Sequence, residues 1–121
     1  MSGLSSIAIK CCDLAAQRGF YEALTGSEFQ EVDVGVSGMR CLFGQGWGLT
    51  LKLVSGREEQ DFEDYPIHQL GLRVEDIEAL VKVAQLAGGR AEGQLTRDEG
   101  GQVVAGCVRD PDGNTIELQR A

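Results

Sequence analysis

LSSIAIKCCDL at residues 4–14 and IHQLGLRVEDI at residues 67–77 share one grammar although few of their residues are identical. In each, apolar residues alternate for the length of one strand: Ile7, Ile9 and Cys11 in the first, Leu70, Leu72 and Val74 in the second. Side chains of a strand point alternately to its two faces, so each segment has one apolar face. An aspartate, Asp13 or Asp76, follows in each and is placed to cap a helix.

Working outward, DLAAQRGFYEALTG sets Leu14, Phe20, Tyr21 and Leu24 near one helical face and stops at Gly26. DIEALVKVAQLAGG does the same with Ile77, Leu80, Val81 and Ala84 and ends at Gly88 and Gly89. Short glycine-punctuated strands are expected after each helix, at 28–34, 39–43 and 48–54 in the first half and at 90–96, 102–109 and 114–120 in the second. The chain therefore reads as an α+β protein of two tandem βαβββ modules, 4–54 and 67–120, within one domain. An acidic linker at 55–66 joins them. A module that covers one face of its sheet with a helix leaves the other face open. The expectation is a cupped mixed sheet, helices on its convex face, with the two open faces sharing a cavity within one chain or across a homodimer.

A chain of 121 residues has room for one such core and not for two independent ones. The longest apolar runs fall well short of the roughly 20 residues of a membrane span. The N-terminus MSGLSSIAIK has no basic segment leading into an apolar core, so a cytoplasmic protein is expected, without membrane partners. The net charge of −8 and the lack of a basic stripe argue against nucleic acid. Half of that charge sits in the linker, where Glu58, Glu59, Asp61, Glu63 and Asp64 face Arg57 alone. Cys11, Cys12, Cys41 and Cys107 show no CxxC spacing and are read as reduced, buried small residues, Cys12 being the candidate for a reactive thiol.

The run DPDGNTIEL, 110–118, makes a tight turn at Pro111, Asp112, Gly113 and Asn114 and then a strand that separates Thr115, Glu117 and Gln119 from Ile116 and Leu118. It resembles the closing hairpin of the glyoxalase/bleomycin resistance protein/dioxygenase superfamily, the vicinal oxygen chelate fold. The Asp-Leu…Phe-Tyr…Leu-x-Gly pattern from Asp13 to Gly26 and the Leu-Arg-Val-Glu-Asp-Ile run from Leu72 are similar to the same family. Together these motifs span nearly the whole chain.

The resemblance implies a divalent-metal site in which each module gives one inward side chain from its first strand and one from its last, His and Glu as a rule. Carried over, those places are Ser6, Lys52, Gln69 and Glu117, of which Glu117 alone is a good ligand. His68, the single histidine, stands one residue before the expected ligand, and a one-residue shift turns a strand side chain to the opposite face. It is read as structural, becoming a ligand beside Glu117 only if a bulge at Pro66 turns it inward. No cofactor is expected, with a divalent metal as the alternative.

The inward set is Ser6, Ala8, Lys10 and Cys12; Thr50 and Lys52; Gln69, Gly71 and Arg73; Thr115, Glu117 and Gln119. Lys10 corresponds to Arg73 and Lys52 to Glu117 under the repeat, and two arrangements are open: a Lys52–Glu117 ion pair in the metal's place, or strand tips that are simply solvated. Lys10, Lys52 and Arg73 against Glu117 make a basic cavity for an anionic or neutral polar ligand, which Arg73 would grip with Lys10. Phe43, Trp47, Phe62 and Tyr65 are candidate pocket walls, Trp47 between Gly46 and Gly48 being the most exposed. Two functions follow from the resemblance. One is a metal-free small-molecule-binding protein like the drug-sequestering members. The other is a lyase, isomerase or dioxygenase using noncanonical ligands, or acid–base chemistry by Glu117 with Lys52.

Overall fold

The computed structural model describes residues 4–56 and 69–121. It divides into two compact units, 1–66 and 67–121. In the first, β1 (Ser6–Lys10), α1 (Leu14–Thr25), β2 (Gln30–Val32), β3 (Arg40–Gly46) and β4 (Leu49–Ser55) form a four-stranded sheet in the order β1-β4-β3-β2. In the second, β5 (Gln69–Val74), α2 (Ile77–Leu86), β6 (Arg90–Ala91), β7 (Thr96–Arg97), β8 (Val103–Arg109) and β9 (Thr115–Arg120) form a sheet in the order β5-β9-β8-β6, with β7 also on β8. Both sheets are mixed: β1 runs parallel to β4 and β5 parallel to β9, while the other pairs are antiparallel.

The two aspartates cap as the repeat requires. Asp13 accepts a hydrogen bond from the Ala16 amide at 3.0 Å, and Asp76 one from the Ala79 amide at 3.0 Å. Each satisfies an amide that the first helical turn leaves without a partner. Gly26 ends α1 at φ 72°, a left-handed conformation that favours glycine, and its amide closes on the Glu22 carbonyl at 2.9 Å.

Each helix lies on one face of its own sheet, α1 against β3 and β4 and α2 against β6, β8 and β9. Under α1 are buried Ile9, Leu14, Phe20, Tyr21, Phe29, Leu42, Leu51 and Leu53, and under α2 Ile77, Val81, Ala84, Val108, Ile116 and Leu118. Burying one large side chain of this kind stabilises by about 1.5–3 kcal/mol, which is why the helices stay on these faces. Leu24 and Leu80, expected in the same stripes, are only half-buried. Gln17 takes a core place that periodicity of apolar residues did not mark.

Three expectations are corrected. The strand expected at 90–96 is two short strands, because Gly93 at φ 70° turns the chain between them and the β7–β8 register shifts at Thr96 and Arg97. The first strand also stops at Lys10. Cys11 lies past it, still bonded through its amide to the Val54 carbonyl at 2.7 Å and buried, whereas Cys12 lies outside the strand and is exposed. The reading of all four cysteines as buried holds for Cys11 and Cys41 but not for Cys12 or for the half-buried Cys107.

Candidate functional site

In the first unit, pairing fixes what shares the face away from α1. Ala8 pairs with Lys52 and Lys52 with Phe43, which pairs in turn with Gln30. On one side of this row Lys10, Val54, Cys41 and Val32 form a second, and on the other Ser6, Thr50 and Gln45 a third. Lys52 holds its Nζ 5.1 Å from the centre of the Phe43 ring, within the range of a cation–π interaction. Among the described residues no carboxylate pairs with it. Cys41 is buried in the same patch, and burial pushes its thiol pKa up while the nearby Lys52 ammonium works in the opposite direction.

In the second unit the corresponding rows are Gly71, Glu117 and Cys107; Arg73, Gln119, Ala105 and Thr96; and Thr115, Arg109 and Arg90. The parallel pairs Ala8–Lys52 and Gly71–Glu117 put Lys52 and Glu117 at equivalent places, and Lys10–Val54 and Arg73–Gln119 do the same for Lys10 and Arg73. The face assignments of Ser6, Lys10, Lys52, Thr115 and Glu117 read from alternation are therefore those of the folded sheets. Gln69 lies in β5 opposite Thr115, while His68, Phe62 and Tyr65 fall outside the described residues. Trp47 is at the tip of the β3–β4 hairpin and 37% exposed. With Gly48 it forms a two-residue turn at φ 54° and 79°, the left-handed pair that a tight hairpin needs.

Sequence reasoning missed the strongest polar contact of this face. Arg109 grips Glu92 through both ends of its guanidinium, Nε to Oε2 at 2.7 Å and Nη2 to Oε1 at 2.8 Å, and its Nη1 donates to the Gly113 carbonyl at 2.7 Å. The hydrogen bonds and charge of Arg109 hold the Glu92 carboxyl below its ordinary range. Glu92 also accepts from the Cys107 thiol at 3.7 Å, and burial followed by the charge of Glu92 raises the Cys107 pKa, with Glu117 adding to the rise. Cys107 is thus kept as a thiol. Arg109 is already neutralised, whereas Arg73 and Glu117 form no ion pair among the described residues. The cue available in sequence was only that Glu92 follows a glycine-rich helix end, which does not specify a partner in β8.

The residue types fit a metal poorly. The first unit offers a hydroxyl, Ser6, and an ammonium, Lys52, and a cationic amine beside the ion's place repels it. Among the described residues no group of three or more His, Cys, Asp and Glu side chains is placed to hold an ion. Among them, too, no helix is long and apolar enough to cross a membrane.

Two helix-backed mixed sheets, each with a parallel pair of first and last strands and an open polar face, define a protein of the paired βαβββ class. The chain belongs to the Glyoxalase/Bleomycin resistance protein/Dioxygenase superfamily, whose family model matches residues 3–118. Similar solved structures include a glyoxalase family protein from Enterococcus faecalis (22% identity, 98% of each chain covered, TM-score 0.73). A superfamily member from Sphaerobacter thermophilus is similar too (22% identity, 100% of this chain and 98% of that one, TM-score 0.70). So is a family enzyme from Burkholderia phytofirmans (20% identity, 98% of each chain, TM-score 0.67). No curated protein matches the chain.

Proposed function

We propose that this protein binds a small organic molecule without a resident metal, in the manner suggested by the bleomycin-resistance branch of its superfamily name, and that the basic or polar open sheet faces serve it, with Ser6, Lys10 and Lys52 as candidates in the first unit and Gln69, Arg73, Thr115 and Glu117 in the second. The observation that carries the reading is the ammonium of Lys52 on the open face of the first sheet, at the place equivalent to Glu117, with no carboxylate beside it among the described residues. An ion that needs about three protein ligands finds one good donor, Glu117, in the four positions carried over from the family. Fold alone does not choose between binding and catalysis, so the weight rests on these side chains.

Titrating the untreated protein calorimetrically with zinc and with nickel should give no submicromolar binding. Submicromolar binding that is lost in Glu117→Ala would overturn the metal-free reading and return the lyase, isomerase or dioxygenase alternative, with His68 turned inward. A homodimer is part of the proposal, because a chain this small leaves sheet edges and the rim of a binding surface open. Light scattering after size exclusion should give the mass of two chains at tens of micromolar, and a monomer at that concentration removes the dimer from the proposal.

A further inference from the structure

The open face of the first sheet carries an apolar strip beside a cation. Phe43, Val54 and Val32 are half-buried there, Cys41 is buried and Ala8 is exposed, and Lys52 stands among them on the Phe43 ring. The described residues of this face, from Ser6 and Lys10 through Thr50 and Val54 to Gln45 and Gln30, include no acid. A face positive in this way on a chain of net charge −8 is a local exception. Charges beyond a Debye length of about 8–10 Å are screened, so the local groups decide what is held. A lysine among apolar neighbours loses hydration that a phenyl ring replaces only in part, and an anion would complete its partners.

The second sheet offers no such combination. Its Arg109 is taken by Glu92, its Arg73 shares the face with the acid Glu117, and Gly71, Thr115 and Gln119 give no apolar strip.

We propose that the open face of the first module is the selective part of the binding surface and takes an aromatic carboxylate, with the carboxylate on the Lys52 ammonium and the flat apolar body along Phe43, Val54 and Ala8. This rests on the small-molecule reading above and narrows it to one chemical class and one module. The carboxylate gains a charge-assisted hydrogen bond from a donor that has no carboxylate partner among the described residues. The ring gains apolar contact that acetate or phosphate lacks. No bond is made or broken.

2-Naphthoate, acetate, inorganic phosphate and 2-naphthylmethylamine are the probes, read by calorimetry and by thermal shift on the full chain. 2-Naphthoate should bind and raise the melting temperature, while the amine, acetate and phosphate at equal concentration should not. Lys52→Met should weaken 2-naphthoate about tenfold or more, the loss of one charge-assisted contact. Lys52→Arg should retain binding, Phe43→Leu should weaken it, and Lys82→Met, on the exposed side of α2, should leave it unchanged. If Lys52→Met does not fold, Lys52→Gln takes its place against Lys52→Arg. Equal binding of the amine, or a Lys52→Met affinity within twofold of the parent, overturns the proposal. Binding lost in Arg73→Ala but kept in Lys52→Met places the anion on the second module and overturns it as well. If 2-naphthoate fails while another small organic molecule stabilises the fold, this inference falls and the binding reading stands. If none binds and zinc does, both fall.

Discussion

Replacing Phe29 with alanine should lower the stability of the first unit by about 3–5 kcal/mol. Phe29 is fully buried, and its place is secured from both sides of the backbone. Its amide donates to Glu22 Oε2 at 2.8 Å and its carbonyl accepts from Arg18 Nη2 at 2.8 Å, so the loop after α1 is tied to the helix that precedes it. The ring lies directly on Gly44 of β3. A Cβ built there would stand 2.5 Å from Phe29 Cδ1, far inside contact distance.

Gly44→Ala should therefore cost about 1–3 kcal/mol by overpacking, even though alanine is otherwise better than glycine inside a strand. In the Phe29→Ala background the same change should cost nothing or stabilise slightly, because the atom it clashes with is gone. Urea unfolding of the two single variants and the double variant measures this coupling. Simple additivity of the two costs would show that the ring does not rest on Gly44. The consequence reaches the open face, since Gly44 follows Phe43 in β3 and its fit sets where β3 lies against β4 and Lys52.

Asp110→Ala should cost about 3 kcal/mol and should also disturb the binding surface. Asp110 is 3% exposed and accepts hydrogen bonds from the Asp112 and Asn114 amides at 3.0 and 2.9 Å through Oδ1 and from Asn114 Nδ2 at 2.9 Å through Oδ2. Its backbone closes the same turn, with the Gly113 amide on the Asp110 carbonyl at 2.9 Å and Gly113 at φ 88°. Alanine leaves buried donors without an acceptor, which costs more than the hydrogen bonds themselves contributed. Asn114→Ala removes one donor and leaves the carboxylate its two amides, so its cost should be smaller, about 1 kcal/mol. Thermal unfolding of the two variants orders them, and an Asp110→Ala variant within 0.5 kcal/mol of the parent by the same measurement would contradict the account. The turn carries the Gly113 carbonyl that holds Arg109 and starts the strand that displays Thr115 and Glu117, so 2-naphthoate binding provides a check on its reach: the first-module site should survive in Asn114→Ala.

Much of this molecule was legible before folding because the relevant signals are local. Alternation over a few residues assigned Ser6, Lys10, Lys52, Thr115 and Glu117 to one side of their strands and Ile9, Ile116 and Leu118 to the other, and register and burial agree. Asp13 and Asp76 announced their helices because a cap acts on amides two or three residues away, and Gly26 announced the end of α1 by the left-handed turn it alone makes cheaply. The turn signals of DPDGN likewise act within five residues.

Tertiary structure decided the rest, and for one physical reason: which side chains meet across strands depends on register and on separations that no local pattern encodes. Phe43 stands under Lys52 because β3 and β4 pair at that residue, and a shift of one position would have turned Phe43 to the helix side. Arg109 is spent on Glu92, 17 residues away in sequence, so a cation that composition counts as available is not. The break at Gly93 that brings Glu92 back over β8 sits inside a stretch whose residues read as one strand. The sequence thus determined which face Lys10, Lys52, Arg73 and Glu117 occupy. Only packing between distant strands decided which charges are paired and which, like Lys52, have no carboxylate partner among the described residues.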